Sequence, residues 1–221
     1  MSVTCKSFSL LLAVASLASC TEMPHVFQPE PPVQSFHSNV SGTQIRRVAV
    51  LPIAYATAEE ASLAELDTVL IQELGKTTMF ELVPVSRDAL DTLFGQREFS
   101  SVEVLPGELL KKLRTDYGVD GVLFTELTHY RPYQPISIGV RSKLVDASTG
   151  HVRWAFDHVF DAGNFATARA AEEYYLATTT PPPIVEHPAT GTAVLQSPSR
   201  FTKYVAWEAF RSLINQPVYA N

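Results

Sequence analysis

Cysteine is nearly absent: the chain has two, at positions 5 and 20, and none afterwards. That excludes an internal disulfide framework and a thiolate metal centre from everything past position 20. Glycine is also scarce, 10 in 221 residues. No phosphate-cradling glycine loop, nucleophile elbow or HExxH pair occurs. Positive charge is short as well, with 17 Lys+Arg against 23 Asp+Glu and a net charge of −6. Without a Lys/Arg stripe, such a surface repels a phosphate backbone, so nucleic acid is excluded as a partner. No apolar run reaches the ~20 residues needed to span a bilayer. What remains is 46% hydrophobic, enough for one domain with a full core.

One short apolar run does stand out. Lys6 is followed by an apolar stretch from Phe8 to Leu17, about ten residues, the length of a signal-peptide core. Leu17-Ala18-Ser19-Cys20 closes it and looks like a bacterial lipobox. Residues 1–19 are therefore expected to be a lipoprotein signal peptide, and Cys20 the acylated first residue of the mature protein. Several acyl chains on one residue suffice for stable anchoring in a lipid bilayer. Residue 21 is Thr, not the Asp of an inner-membrane retention cue. The expected location is the outer membrane, facing the periplasm.

Residues 20–45 read as a tether. Pro24, Pro29, Pro31 and Pro32 fall in it and no apolar period does. As polyproline II it would reach at most roughly 70–75 Å. Residues 46–215 read as the domain and 216–221 as a tail. Arg46 to Ile53 is a nearly continuous apolar strand. Leu63, Leu66, Leu70 and Leu74 lie at helical spacing, with Gly75 as the expected stop. A strand over 80–85, a helix from Ser86 or Arg87 to Phe94, and a helix opened by Pro106 and ended by Gly118 follow. Three strands, 119–130, 136–146 and 152–160, make an antiparallel meander with one wet face. A helix over 166–176, a long loop over 178–199 and a terminal helix capped by Ser199 or Thr202 complete the chain. The fold class is α+β: a mixed β-sheet with an antiparallel meander and helices packed on it, in a single domain.

Chemistry is sparse. His25 and His37 fall in the tether and His187 in the loop, while His151 and His158 are an odd number of residues apart on one strand and face opposite ways. No metal or other cofactor is expected. Glu126 reads as a cross-strand partner for Arg141, Lys143 or Arg153. A hydrolase built on Glu126 and His129 is the remaining enzymatic alternative. Tyr130 and Tyr133, flanking the proline-rich connection 131–135, are the candidate partner surface.

Four segments carry a resemblance: Val48-Ala49-Val50-Leu51-Pro52, Phe80-Glu81-Leu82-Val83-Pro84, Tyr117 to Leu127, and Leu144 to Trp154. In this order they resemble the periplasmic α+β lipoprotein domain of the CsgG-like secretion-channel proteins, the LpoB-type activators of penicillin-binding proteins and the TolB amino-terminal domain. The resemblance covers residues 45–215. It implies a non-catalytic domain that binds another envelope protein, or itself, in envelope or cell-wall biogenesis. A CsgG-like oligomeric secretion component is the alternative it carries. The loop over 178–199 has no counterpart in that pattern and reads as the specific feature of this chain.

Overall fold

The computed structural model describes residues 34–37, 44–55, 60–179 and 191–214. Cys20, the first part of the tether and residues 180–190 lie outside them. The elements run β1 (Gln34–His37), β2 (Arg47–Val50), α1 (Glu60–Lys76), β3 (Glu81–Pro84), α2 (Arg87–Phe94), α3 (Leu109–Tyr117), β4 (Gly121–Arg131), β5 (Ser137–Asp146), β6 (Val152–Asp161), α4 (Phe165–Thr178), a 3₁₀ turn (Gly191–Gln196) and α5 (Pro198–Ile214). Six strands form one mixed sheet in the order β1-β6-β5-β4-β2-β3. β2 lies parallel to both β3 and β4, and β4, β5 and β6 make the antiparallel meander. This is the expected single α+β domain with a mixed sheet.

The sheet is covered on both faces because its strands alternate apolar residues in both directions. Val48, Val50, Leu123, Leu144, Trp154, Phe156 and Phe160 face α1, α4 and α5. Ala49, Leu51, Val122, Phe124 and Val145 face α2 and α3. Each large side chain buried this way contributes about 1.5–3 kcal/mol. Trp154, Phe156 and Phe160 stack along one face of β6, and Phe210 and Tyr204 of α5 close over them. The wet face expected of the meander is therefore confined to its second half, beyond the reach of α2 and α3.

Local signals set most helix ends. The Ser86 hydroxyl accepts the Ala89 N–H at 3.1 Å, and Gly95 ends α2 in the left-handed region at φ 70°. Gly118, at φ 64°, ends α3 as expected. Gly75 does not end α1. The helix runs on to Lys76, which pairs with Glu73, and Thr78 takes the positive φ of 54° instead. The Thr77 hydroxyl donates to the Leu74 carbonyl at 2.7 Å and closes the helix end. α5 is capped by Ser197, earlier than the expected Ser199 or Thr202. Pro198 is its first residue and the Ser197 hydroxyl accepts the Arg200 N–H, the arrangement proline favours at a helix start.

Two segments differ from the sequence reading. Part of the stretch read as tether forms β1, paired antiparallel to β6 from Gln34 opposite Asp157 to His37 opposite Trp154. The His37 ring bonds the Ser212 carbonyl of α5 at 2.8 Å. Four residues, Gln-Ser-Phe-His, are too few for a periodic signal. The 178–199 loop is likewise not loop throughout, because residues 191–196 form the 3₁₀ turn and bury Val194 completely.

The meander kinks where β4 carries an extra residue between Leu127 and His129. Gly139 faces that bulge. A Cβ there would lie 2.4 Å from the Thr128 hydroxyl and 3.0 Å from the His129 backbone nitrogen. Thr128 can rotate away, but the backbone cannot. Gly139→Ala is expected to cost about 1–3 kcal/mol, read as a lower urea midpoint with an unchanged m-value.

Candidate functional site

Beyond the end of β2 the chain keeps following β4. The Ala54 N–H donates to the Thr125 carbonyl at 2.9 Å and the Leu127 N–H to the Ala54 carbonyl at 3.0 Å. This segment meets α1 and the α2–α3 connection around one guanidinium. Arg87, 8% exposed, donates to the Ile53 carbonyl at 2.9 Å, to Asp67 of α1 at 3.0 Å and to Glu98 at 2.5 Å. The two acids hold the same segment from their other oxygens. Asp67 accepts the Ile53 N–H at 2.7 Å, and Glu98 accepts the Tyr55 N–H at 3.0 Å. One cation and two anions thus staple three segments by charge-assisted bonds. Asp67 and Arg87 also supply polar lining to a cleft of about 290 Å³ at the carboxyl ends of β2 and β3, walled by Val50, Leu51, Leu70 and Val85.

A second cluster lies on the sheet itself. Glu126, Arg141 and Asp157 occupy one cross-strand row of β4, β5 and β6. Arg141 donates to Glu126 at 3.1 Å and to Asp157 at 2.7 Å. The sequence assigned Glu126 a cross-strand basic partner, and Arg141 is that partner. The other Glu126 oxygen accepts the Ser100 hydroxyl, and Lys143 donates to the Ser101 carbonyl at 3.1 Å. Both clusters therefore grip one loop. Glu98 is held by Arg87, Phe99 is buried edge-on against Phe94, and Ser100 and Ser101 are bonded to the sheet. The next residues point away from the protein. Val102 is 60% exposed and Val104 fully so.

The remaining sequence-named residues separate. Tyr130 is half-buried and sits edge-on to Tyr55, with ring centroids 6.3 Å apart. Burial pushes its phenol up, and Glu65 adds to this. Tyr133, three residues on, is exposed. Of the two, Tyr133 presents most of its side chain to solvent. His129 lies beyond the bulge from Glu126, opposite Gly139. Cys20 is outside the described residues. Among these residues no group of three or more His, Cys, Asp or Glu is placed to hold a metal ion, and no helix is long and apolar enough to cross a membrane. Arg87 went unnoticed in the sequence, where it reads as an ordinary polar residue at a helix start.

No protein-family model and no curated protein matches the chain. Several solved structures are similar to part of it. The lipoprotein GNA1162 from Neisseria meningitidis aligns with a TM-score of 0.44 and 16% identity, over 61% of this chain and 99% of that one. The PelC dodecamer from Paraburkholderia phytofirmans gives 0.42 and 15%, over 62% and 87%. The LpoB C-terminal domain from Salmonella enterica gives 0.36 and 14%, over 53% and 84%.

Removing the guanidinium leaves two carboxylates facing each other in a confined space. Arg87→Met is expected to destabilise the domain by about 3 kcal/mol, near the lower end for breaking a buried pair, measured by urea unfolding. Burial pushes Asp67 above the ordinary carboxylate range, against the opposing pull of the Ile53 N–H and Arg87. A carboxyl raised in this way binds its proton more tightly in the folded state. Its contribution is therefore fullest at low pH and falls as pH rises from the ordinary carboxylate value through the raised one. Asp67→Asn should remove that part of the slope in unfolding free energy measured across this interval.

Proposed function

We propose that this chain is a periplasm-facing lipoprotein, anchored in the outer membrane through acylated Cys20. Its domain works without covalent chemistry, as an interaction or assembly factor in envelope or cell-wall biogenesis. The observation that carries this reading is the loop over residues 98–105. Both charge clusters help to fix it, and what it presents is a pair of valines in water rather than a reactive group. A loop ordered before binding loses less entropy on docking, and apolar β-branched side chains at its crest suit an apolar socket on another protein. The lipobox supports the anchor independently, and the acidic surface supports a protein rather than a nucleic acid as partner.

The test is a photoreactive residue in place of Val104, with crosslinking in native envelopes. A discrete heterologous adduct is expected, and Val102→Asp should lower its yield about tenfold, as for a contact worth 1.4 kcal/mol. Adducts made only of this chain would move the reading to the oligomeric secretion component. A probe at Val104 that crosslinks no more than one at the exposed Thr149 would overturn the docking loop.

A further inference from the structure

The far end of the meander carries the two most exposed aromatic side chains among the described residues, on a hydrogen-bonded frame. Two connections meet there, 131–136 between β4 and β5 and 161–165 between β6 and α4. The Arg131 Nε donates to the Pro135 carbonyl at 2.7 Å, and its guanidinium pairs with Asp161 at 3.3 Å. The Ala162 N–H donates to the Ile136 carbonyl at 2.8 Å. Asn164 caps α4 by accepting the Ala166 N–H at 2.8 Å. On this frame Tyr133 is 70% exposed and Phe165 67%.

The same end is where the chain arrives from the anchor. β1 is antiparallel to β6, with its incoming residue Gln34 opposite Asp157 and its outgoing residue His37 opposite Trp154. The chain therefore enters β1 from the side of Tyr133 and Phe165. The thirteen residues between Cys20 and Gln34 span at most about 45 Å even when fully extended. β1 thus fixes the domain closer to its anchor than a tether ending at residue 45 would.

We propose that this tip, formed by Tyr133 and Phe165, rests on the surface of the lipid bilayer. It rests on the reading of Cys20 as the acylated residue. Two side chains are too little for a specific protein interface, which buries about 1,200–2,000 Å². They suffice to orient a domain that an acyl anchor already holds at high effective concentration over the bilayer. Tyrosine and phenylalanine suit that depth, with a ring in the acyl boundary and, for Tyr133, a hydroxyl among the headgroups. Asp161, the acid between the two connections, is paired with Arg131, so the tip does not present a bare carboxylate to anionic lipid.

The experiment uses the acylated full-length protein on vesicles of phosphatidylethanolamine and phosphatidylglycerol. An environment-sensitive fluorophore is attached through Gln134→Cys at the tip or Thr149→Cys at the opposite end of the sheet. Nitroxide-labelled lipid should quench the Gln134 position several-fold more than the Thr149 position. Adding Tyr133→Ser and Phe165→Ser, both on exposed side chains, should bring the two to the same level. Equal quenching at both positions in the parent protein would overturn the proposal, as would quenching that survives the double substitution. So would a fluorescence change at Gln134 that grows with protein density and not with nitroxide lipid, since a second copy would then cover the tip. Intact mass of the envelope-purified protein reports on Cys20 separately. An unmodified cysteine overturns the anchor reading and this proposal together, while an acylated protein with an unquenched tip overturns the proposal alone.

Discussion

Strands β4, β5 and β6 are ten or eleven residues long, whereas β2 and β3 have four. Helices α2 and α3 pack only where β2 lies beside the meander, over Val122, Phe124 and Val145. The rest of that face must be finished without a helix. It is finished with the Glu126–Arg141–Asp157 row and with a loop drawn down onto it. A bare carboxylate as buried as Glu126 would be costly, and the Ser100 hydroxyl and Arg141 remove that cost. The polar clusters and the exposed valines thus follow from one mismatch in strand length.

Arg87 acts at the boundary of the same region. It is the first residue of α2, yet its bonds go to the segment after β2, to α1 and to the residue before Phe99. Without them the segment 51–55 would keep its pairing with β4 and the Ile53–Asp67 bond, but two carboxylates would lose their shared cation. The 98–105 loop would keep its bonds to the sheet, the Glu98–Tyr55 bond and the packing of Phe99 on Phe94. Asp67 and Arg87, paired at 3.0 Å, also line the cleft at the ends of β2 and β3. Neither acid alone could replace the guanidinium, because each already accepts a backbone N–H and only a multivalent donor can bridge both.

Features encoded within a few residues were legible. Ser86 and Gly118 mark helix ends by side-chain chemistry or by φ, and alternation in Ile138, Val140, Trp154 and Phe156 marks strands. Glu126 could be assigned a basic partner because cross-strand rows follow from strand register. Features that depend on distant segments were not legible. Arg87 is 34 residues from Ile53 and 20 from Asp67, and nothing near it in sequence announces burial. β1 is four residues of mixed character whose only reason to be a strand is the free edge of β6. Val194 lies in a short apolar stretch of the segment that reads as a long loop over 178–199, and only α4 and α5 give it somewhere to go. Gly75 misled because a glycine near a helix end need not end it when a neighbouring threonine can.

The direction of β1 sets where the domain's parts stand. With the tip on the bilayer, the strands rise from it at about 3.3 Å per residue. The Glu126 row lies five residues along β4 from Arg131, roughly 15 Å above the tip by that rise. Ser100 and Ser101 are bonded to that row, so the exposed valines stand at the side of the domain near the membrane. The turn at Ser148–Gly150 and the start of β2 are at the opposite end. A partner reached through the valines would then lie beside the domain, close to the same bilayer. A long, free tether would have favoured a distant target. The pairing of β1 with β6 argues for a near one, because it takes residues 34–37 out of the reach of the anchor and fixes the direction from which the chain arrives.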